Sequence, residues 1–90
     1  MEIRVGSIVR SKAGRDKGDL FIVLTIEGNY VYMANGELRK VDRPKKKKLR
    51  HLQATGEVSE FVANKLAAGG KVTNSEVRKA LAQNKEEDNG

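Results

Sequence analysis

The longest apolar stretch in this 90-residue chain runs from Leu20 to Ile26, interrupted only by Thr25. On an extended backbone Leu20, Ile22, Leu24 and Ile26 fall on one side, with Phe21 and Val23 on the other. A strand that is apolar on both sides has to be covered on both sides, so this segment is expected at the centre of the core. It is also far short of the roughly 20 apolar residues that span a bilayer.

The flanking sequence reads as short strands and tight turns. Val5, Ile8 and Val9 open a first strand that is expected to run to about Lys12, and Ala13-Gly14-Arg15-Asp16-Lys17-Gly18 suits an exposed hairpin loop. Gly28-Asn29 and Asn35-Gly36 are turn signals on either side of a strand from Tyr30 to Ala34. Glu37 to Val41 is expected as a fourth strand stopped by Pro44, and Leu49 to Leu52 as a short fifth. Five short strands in fewer than fifty residues are best satisfied by a small closed or partly closed barrel.

After Thr55 the apolar period lengthens to that of a helix: Val58, Phe61, Val62 and Leu66 share a face, and Gly69-Gly70 stops the run. A second helix has a sharper start. Thr73 and Glu76 form a capping box, with Val72 stapled against Val77 and Ala80 and Leu81 continuing the apolar face. Lys85 to Gly90 carries no apolar side chain and is expected to fray. The expected fold is mainly β, one compact domain, with the barrel and a basic segment in residues 1–53 and a helical extension in 54–90.

Charge divides along the same line. Residues 1–53 hold 13 Lys and Arg against 6 Asp and Glu, whereas residues 54–90 hold 5 against 6. Such asymmetry points to a polyanion-binding first part and a supporting second part. The chain has no Cys and one His, which excludes disulfides, thiol chemistry and cysteine-ligated zinc. Gly14 to Asp19 resembles a phosphate loop only superficially, because Gly-Lys-Ser/Thr is absent. No constellation of acid, base and nucleophile stands out, and His51 has no assignable catalytic partner. A non-enzymatic binding module without metal or cofactor is expected. The start, Met1-Glu2-Ile3-Arg4, lacks a secretory pattern, so a soluble, monomeric cytoplasmic protein is expected.

Val5 to Leu20, followed by Ile22-Val23-Leu24, resembles the KOW motif: a strand, a loop with a glycine ahead of its basic residues, a Lys-Gly pair (Lys17-Gly18) and alternating apolar residues beyond. The chain is most similar to KOW-containing large-subunit ribosomal proteins and to small bacterial KOW-domain RNA-binding proteins. The latter end in a Pro-(Lys-rich)-Leu-x-His-Leu segment and a helical tail; here that segment is Pro44-Lys45-Lys46-Lys47-Lys48-Leu49-Arg50-His51-Leu52. Leu20-Phe21 stand where many KOW domains carry a further glycine. The resemblance implies an SH3-like barrel that binds structured ribosomal RNA and associates with the large ribosomal subunit, as a component or as an assembly or translation factor.

The residues themselves indicate where RNA would bind. Arg10, Lys12, Arg15 and Lys17 gather around the hairpin loop, where Gly14 and Gly18 leave backbone N–H groups open to phosphates. Arg39, Lys40, Arg43, Lys45, Lys46, Lys47, Lys48 and Arg50 form a second basic run, broken by Asp42, that is expected to track a phosphate backbone. Tyr30 and Tyr32 share a strand face and could stack bases, but packing on the barrel wall is the commoner use of such residues. Structured RNA, read by shape and phosphate, is the expectation that follows. The rival reading is a KOW-type protein adaptor linked to transcription elongation, with residues near Phe61 and Leu66 as its contact.

Overall fold

The computed structural model describes residues 2–84. Five strands, β1 (Ser7–Ser11), β2 (Leu20–Glu27), β3 (Tyr30–Ala34), β4 (Lys45–Lys48) and β5 (Leu52–Val58), are followed by helices α1 (Glu60–Ala67) and α2 (Asn74–Ala82). The strands form one antiparallel sheet in the order β4-β3-β2-β1-β5. Among the described residues no helix is long and apolar enough to cross a membrane.

β2 lies at the centre of the sheet and is covered on both sides. Phe21 and Val23 join Val9, Val31, Met33 and Leu52 in one buried cluster. Ile22 joins Ile8, Val62, Val72 and Val77 in a second, which lies between the sheet and the two helices. Each such side chain, fully buried, contributes roughly 1.5–3 kcal/mol. Ile26, expected beside Ile22 and Leu24, packs instead against the Phe21 cluster. A bulge causes the switch: Val23 pairs with Met33 and Thr25 with Tyr32, so Leu24 is an extra residue that turns the rest of β2 over.

β4 and β5 occupy opposite edges of the sheet, yet only Leu49–His51, a single 3₁₀ turn, separates them. Three residues of 3₁₀ helix advance roughly 6 Å, so the sheet curls until its edges approach at this end. No ladder joins β4 to β5 among the described residues; the sheet is curled and its closure into a barrel is not seen.

The turn at Gly28-Asn29 is a two-residue hairpin as expected, closed by the pair Glu27 and Tyr30. Asn35-Gly36 is not one. The Asn35 side chain accepts the N–H groups of Glu37 (3.0 Å) and Arg39 (2.9 Å), and the Asn35 and Gly36 N–H groups both donate to the Arg39 carbonyl. The chain is therefore wound up where a fourth strand was expected over Glu37 to Val41. That strand forms after Pro44, from the lysine run itself. Gly36 also sits under α2: a Cβ there, at φ +81°, would lie 2.6 Å from the Asn74 carbonyl oxygen. The expected fifth strand over Leu49 to Leu52 is likewise displaced, since Leu49–His51 is the 3₁₀ turn and β5 begins at Leu52. β5 pairs with β1 as far as Val58, carrying the sheet past residue 53.

Ser59 caps α1 by accepting the Val62 N–H at 3.2 Å. Val62 is buried and Leu66 packs beside it, but Phe61 is 58% exposed because it lies one residue, about a hundred degrees, off that face. Gly69 N–H to the Leu66 carbonyl and Gly70 N–H to the Lys65 carbonyl end the helix in a Schellman motif. The capping box of α2 forms as expected, with Thr73 Oγ1 accepting from Glu76 N–H and the Glu76 carboxylate accepting from Thr73 N–H. Lys65 Nζ reaches both Glu76 carboxylate oxygens, at 3.0 and 2.9 Å, tying α1 to α2. The stretch Lys85 to Gly90, expected to fray, lies outside the described residues.

Candidate nucleic-acid interface

Strand alternation divides the lysine run in two. β4 pairs antiparallel with β3 so that Lys47 faces Val31 and Lys45 faces Met33, both on the side of the buried cluster, while Lys46 faces Tyr32 and Lys48 faces Tyr30 on the opposite side. Lys47 is buried and Lys45 half-buried; Lys46 and Lys48 are exposed.

A buried ammonium needs partners, and the β1–β2 loop supplies them. Lys47 Nζ donates to the Ala13 carbonyl at 2.7 Å and to Asp16 Oδ1 at 2.8 Å. Ser11 Oγ donates to the same oxygen at 2.7 Å, and Lys45 Nζ stands 3.3 Å from Asp16 Oδ2. Burial pushes the Asp16 carboxyl upward, but hydrogen bonds from Lys47, Ser11 and Lys45, with the charge of Lys45, outweigh it and hold the pKa at about 2. One carboxylate thus fastens the loop to the far edge strand and neutralises much of the inner lysine pair.

The clamp shapes the loop that presents the other cations. Lys17 N–H donates to the Gly14 carbonyl and Asp19 N–H to the Asp16 carbonyl, winding residues 14–19 into consecutive turns. Gly14 and Gly18 take φ of +85° and +93°. Arg10 Nη1 donates to the Gly18 carbonyl at 2.7 Å, so this guanidinium braces the loop's return. Lys12, Arg15 and Lys17 are exposed around it. Arg15 shares a groove of about 320 Å³ with Asp16, Leu38, Arg39 and Lys45.

Lys40 and Arg43 are exposed on the segment that leads to Pro44. That segment is held by α2: Val41 N–H donates to Asn74 Oδ1 at 2.8 Å, and Arg78 Nη1 donates to the Gly36 carbonyl at 2.7 Å. The helical part therefore positions the loop carrying Arg39, Lys40 and Arg43.

On the outer face of β3 and β4 the tyrosines are not core residues. Tyr30 and Tyr32 are half-buried and belong to neither hydrophobic cluster. Lys46 Nζ lies 4.6 Å from the centroid of the Tyr30 ring and 6.0 Å from that of Tyr32, with Lys48 Nζ 6.0 Å from Tyr30. Exposed cation–π contacts of this kind contribute roughly 0.5–1 kcal/mol. Beside them opens a groove of about 830 Å³ whose lining includes Asn29, Tyr30, Lys48, Leu49, Arg50 and Leu52.

The fourteen residues expected at the interface thus fall into different roles. Arg10, Lys45 and Lys47 hold the loop, and Gly14 and Gly18 shape it. Lys12, Arg15, Lys17 and Arg39 are exposed on the loop side, Lys40 and Arg43 on the segment held by α2, and Lys46, Lys48 and Arg50 on the tyrosine side. Asp16 was missed as an organising residue, although an acid inside a basic loop is a sequence signal for an internal ion pair. Among the described residues no group of three His, Cys, Asp or Glu side chains is placed to hold a metal ion.

Compared with known proteins, the chain matches no family model and no curated protein.

Proposed function

We propose that this protein is a non-enzymatic RNA-binding protein of the KOW type, built on an SH3-like barrel. On this reading it binds structured ribosomal RNA and associates with the large ribosomal subunit in the cytoplasm, as a component or as an assembly or translation factor. The observation that carries the proposal is the β1–β2 loop: its turns are fixed by the Asp16 clamp while Lys12, Arg15 and Lys17 stay exposed. A loop ordered before binding loses little entropy when phosphates engage its cations. The excess of 13 basic over 6 acidic residues in 1–53 supplies the long-range attraction.

The test is sedimentation of the endogenous protein in gently lysed cells, at low and raised salt and after ribonuclease. Comigration with large subunits that survives moderate salt and is lost with ribonuclease supports the reading; sedimentation only at the top of the gradient in every condition overturns ribosome association. In purified form, Arg15→Ala with Lys17→Ala is expected to flatten the logarithmic salt dependence of RNA affinity by up to about 1.8 if each side chain meets one phosphate. The adaptor reading is favoured by one observation, the 58% exposure of Phe61 on α1. It predicts a protein complex that resists salt and is lost in Phe61→Ala.

A further inference from the structure

The outer face of β3 and β4 has a composition that the fold does not require. Val31 and Met33 already close the core from the other side of β3, and neither tyrosine ring contributes to it. β4 is an edge strand, and among the described residues no strand pairs beyond it. The ladder sets Tyr30 against Lys48 and Tyr32 against Lys46, two aromatic rings alternating with two exposed ammonium groups. The groove containing Lys48 and Arg50 begins at Tyr30.

We propose that this face is a stacking platform for a short unpaired RNA segment, with bases on Tyr30 and Tyr32 and phosphates on Lys46, Lys48 and Arg50. This rests on the RNA-binding reading above and deepens it, naming an unpaired stretch within or beside the structured RNA as the occupant. Spacing argues for unpaired nucleotides. Two residues apart on a strand, the tyrosines are separated by roughly 6.7 Å along the backbone, about twice the ~3.4 Å per nucleotide of a duplex strand. Neighbouring bases that remain stacked on each other in a helix cannot lie one on each ring, whereas splayed bases can.

The free protein holds the platform in a covered state. Lys46 sits over the Tyr30 ring at 4.6 Å, where it takes the place a base would occupy. Stacking of a base on an aromatic ring exceeds an exposed cation–π contact, so an arriving base displaces the ammonium, which is then free to meet the adjoining phosphate. Lys46 thus exchanges one partner for another without leaving a charge unpaired.

The test compares the full-length protein's affinity for an unstructured ten-nucleotide RNA with its affinity for an abasic ribose-phosphate chain of the same length. The proposal expects the abasic chain to bind about tenfold more weakly, and Tyr30→Leu with Tyr32→Leu to remove that difference while Tyr30→Phe with Tyr32→Phe retains it. The sequence has only these two tyrosines and no tryptophan, so upfield shifts of tyrosine ring-proton NMR signals on binding report this face alone. Equal affinity for the two chains, or full binding by the leucine variant, overturns the platform but leaves RNA binding through phosphates standing. Binding of neither these chains nor a structured ribosomal RNA fragment overturns both readings.

Discussion

Four consecutive lysines, chemically identical, meet two different fates in β4. Lys45 and Lys47 face the curled interior and are consumed by Asp16 and the Ala13 carbonyl; Lys46 and Lys48 face outward, over tyrosine rings. The difference comes from the two-residue period of a strand, which sends neighbours into environments of opposite polarity. Inside, a charge is tolerated only when paired, so the inner lysines serve the fold. Outside, an ammonium is cheaply solvated and exchangeable, and so remains available to a polyanion. A basic run is therefore a poor count of binding residues until its secondary structure is known.

The largest test of this contrast is Asp16→Ala, which strands a nearly buried lysine. It is expected to cost roughly 3 kcal/mol in urea unfolding, whereas Lys46→Ala, which removes only exposed contacts, shifts stability by less than about 1 kcal/mol. Equal effects would erase the distinction between the pairs.

Acid provides a second test. The Asp16 pKa is lowered from 3.8 to about 2, so the unfolded chain binds more protons between those values and stability falls with pH. The contribution, about 2 kcal/mol, is fully present above about pH 5 and is lost as pH drops through 4 towards 2. Glu76, also lowered by the hydrogen bond from Lys65 and by the Thr73 N–H, acts in the same direction. Acid titration of unfolding should show a shallower decline in Asp16→Asn, from a lower starting stability.

Binding sharpens the comparison from the other side. Lys46→Ala with Lys48→Ala should reduce the salt slope of affinity for single-stranded RNA by about 1.4 and weaken binding roughly tenfold at moderate salt. Lys47→Met, which removes one charge from the same run, should leave the slope unchanged. A modest effect is expected in Thr73→Ala, about 1 kcal/mol from loss of the cap, with RNA affinity altered only through the loop that α2 holds.

Much of the scaffold was legible because it depends on local pattern. The two-sided apolar run gave β2, Gly28-Asn29 its hairpin, and Thr73 with Glu76 the start of α2. What could not be read depended on partners distant in sequence. Nothing between Val23 and Thr25 announces the bulge that moves Ile26, since it is defined by pairing with Met33 and Tyr32. Lysine is a poor strand former, and Glu37 to Val41 has the better apolar alternation; the Asn35 side chain wins there by capturing two backbone donors at once. The basic loop was legible as a loop, but its internal clamp required β4 to be placed. The outward tyrosines were visible as a pair on one face, and only the ladder showed which face, and that lysines stood beside them.

The position of β4 at the edge of the sheet has one more consequence. An edge strand offers unpaired N–H and C=O groups that can zip onto the same edge of another molecule, and aggregation commonly begins there. Here every residue of that edge is a lysine, two of them exposed, so two copies approaching edge to edge meet like charge along the whole length of the strand. The segment proposed to meet a polyanion thereby also disfavours edge-to-edge pairing of copies, and neutralising it for binding studies is expected to lower solubility along with affinity.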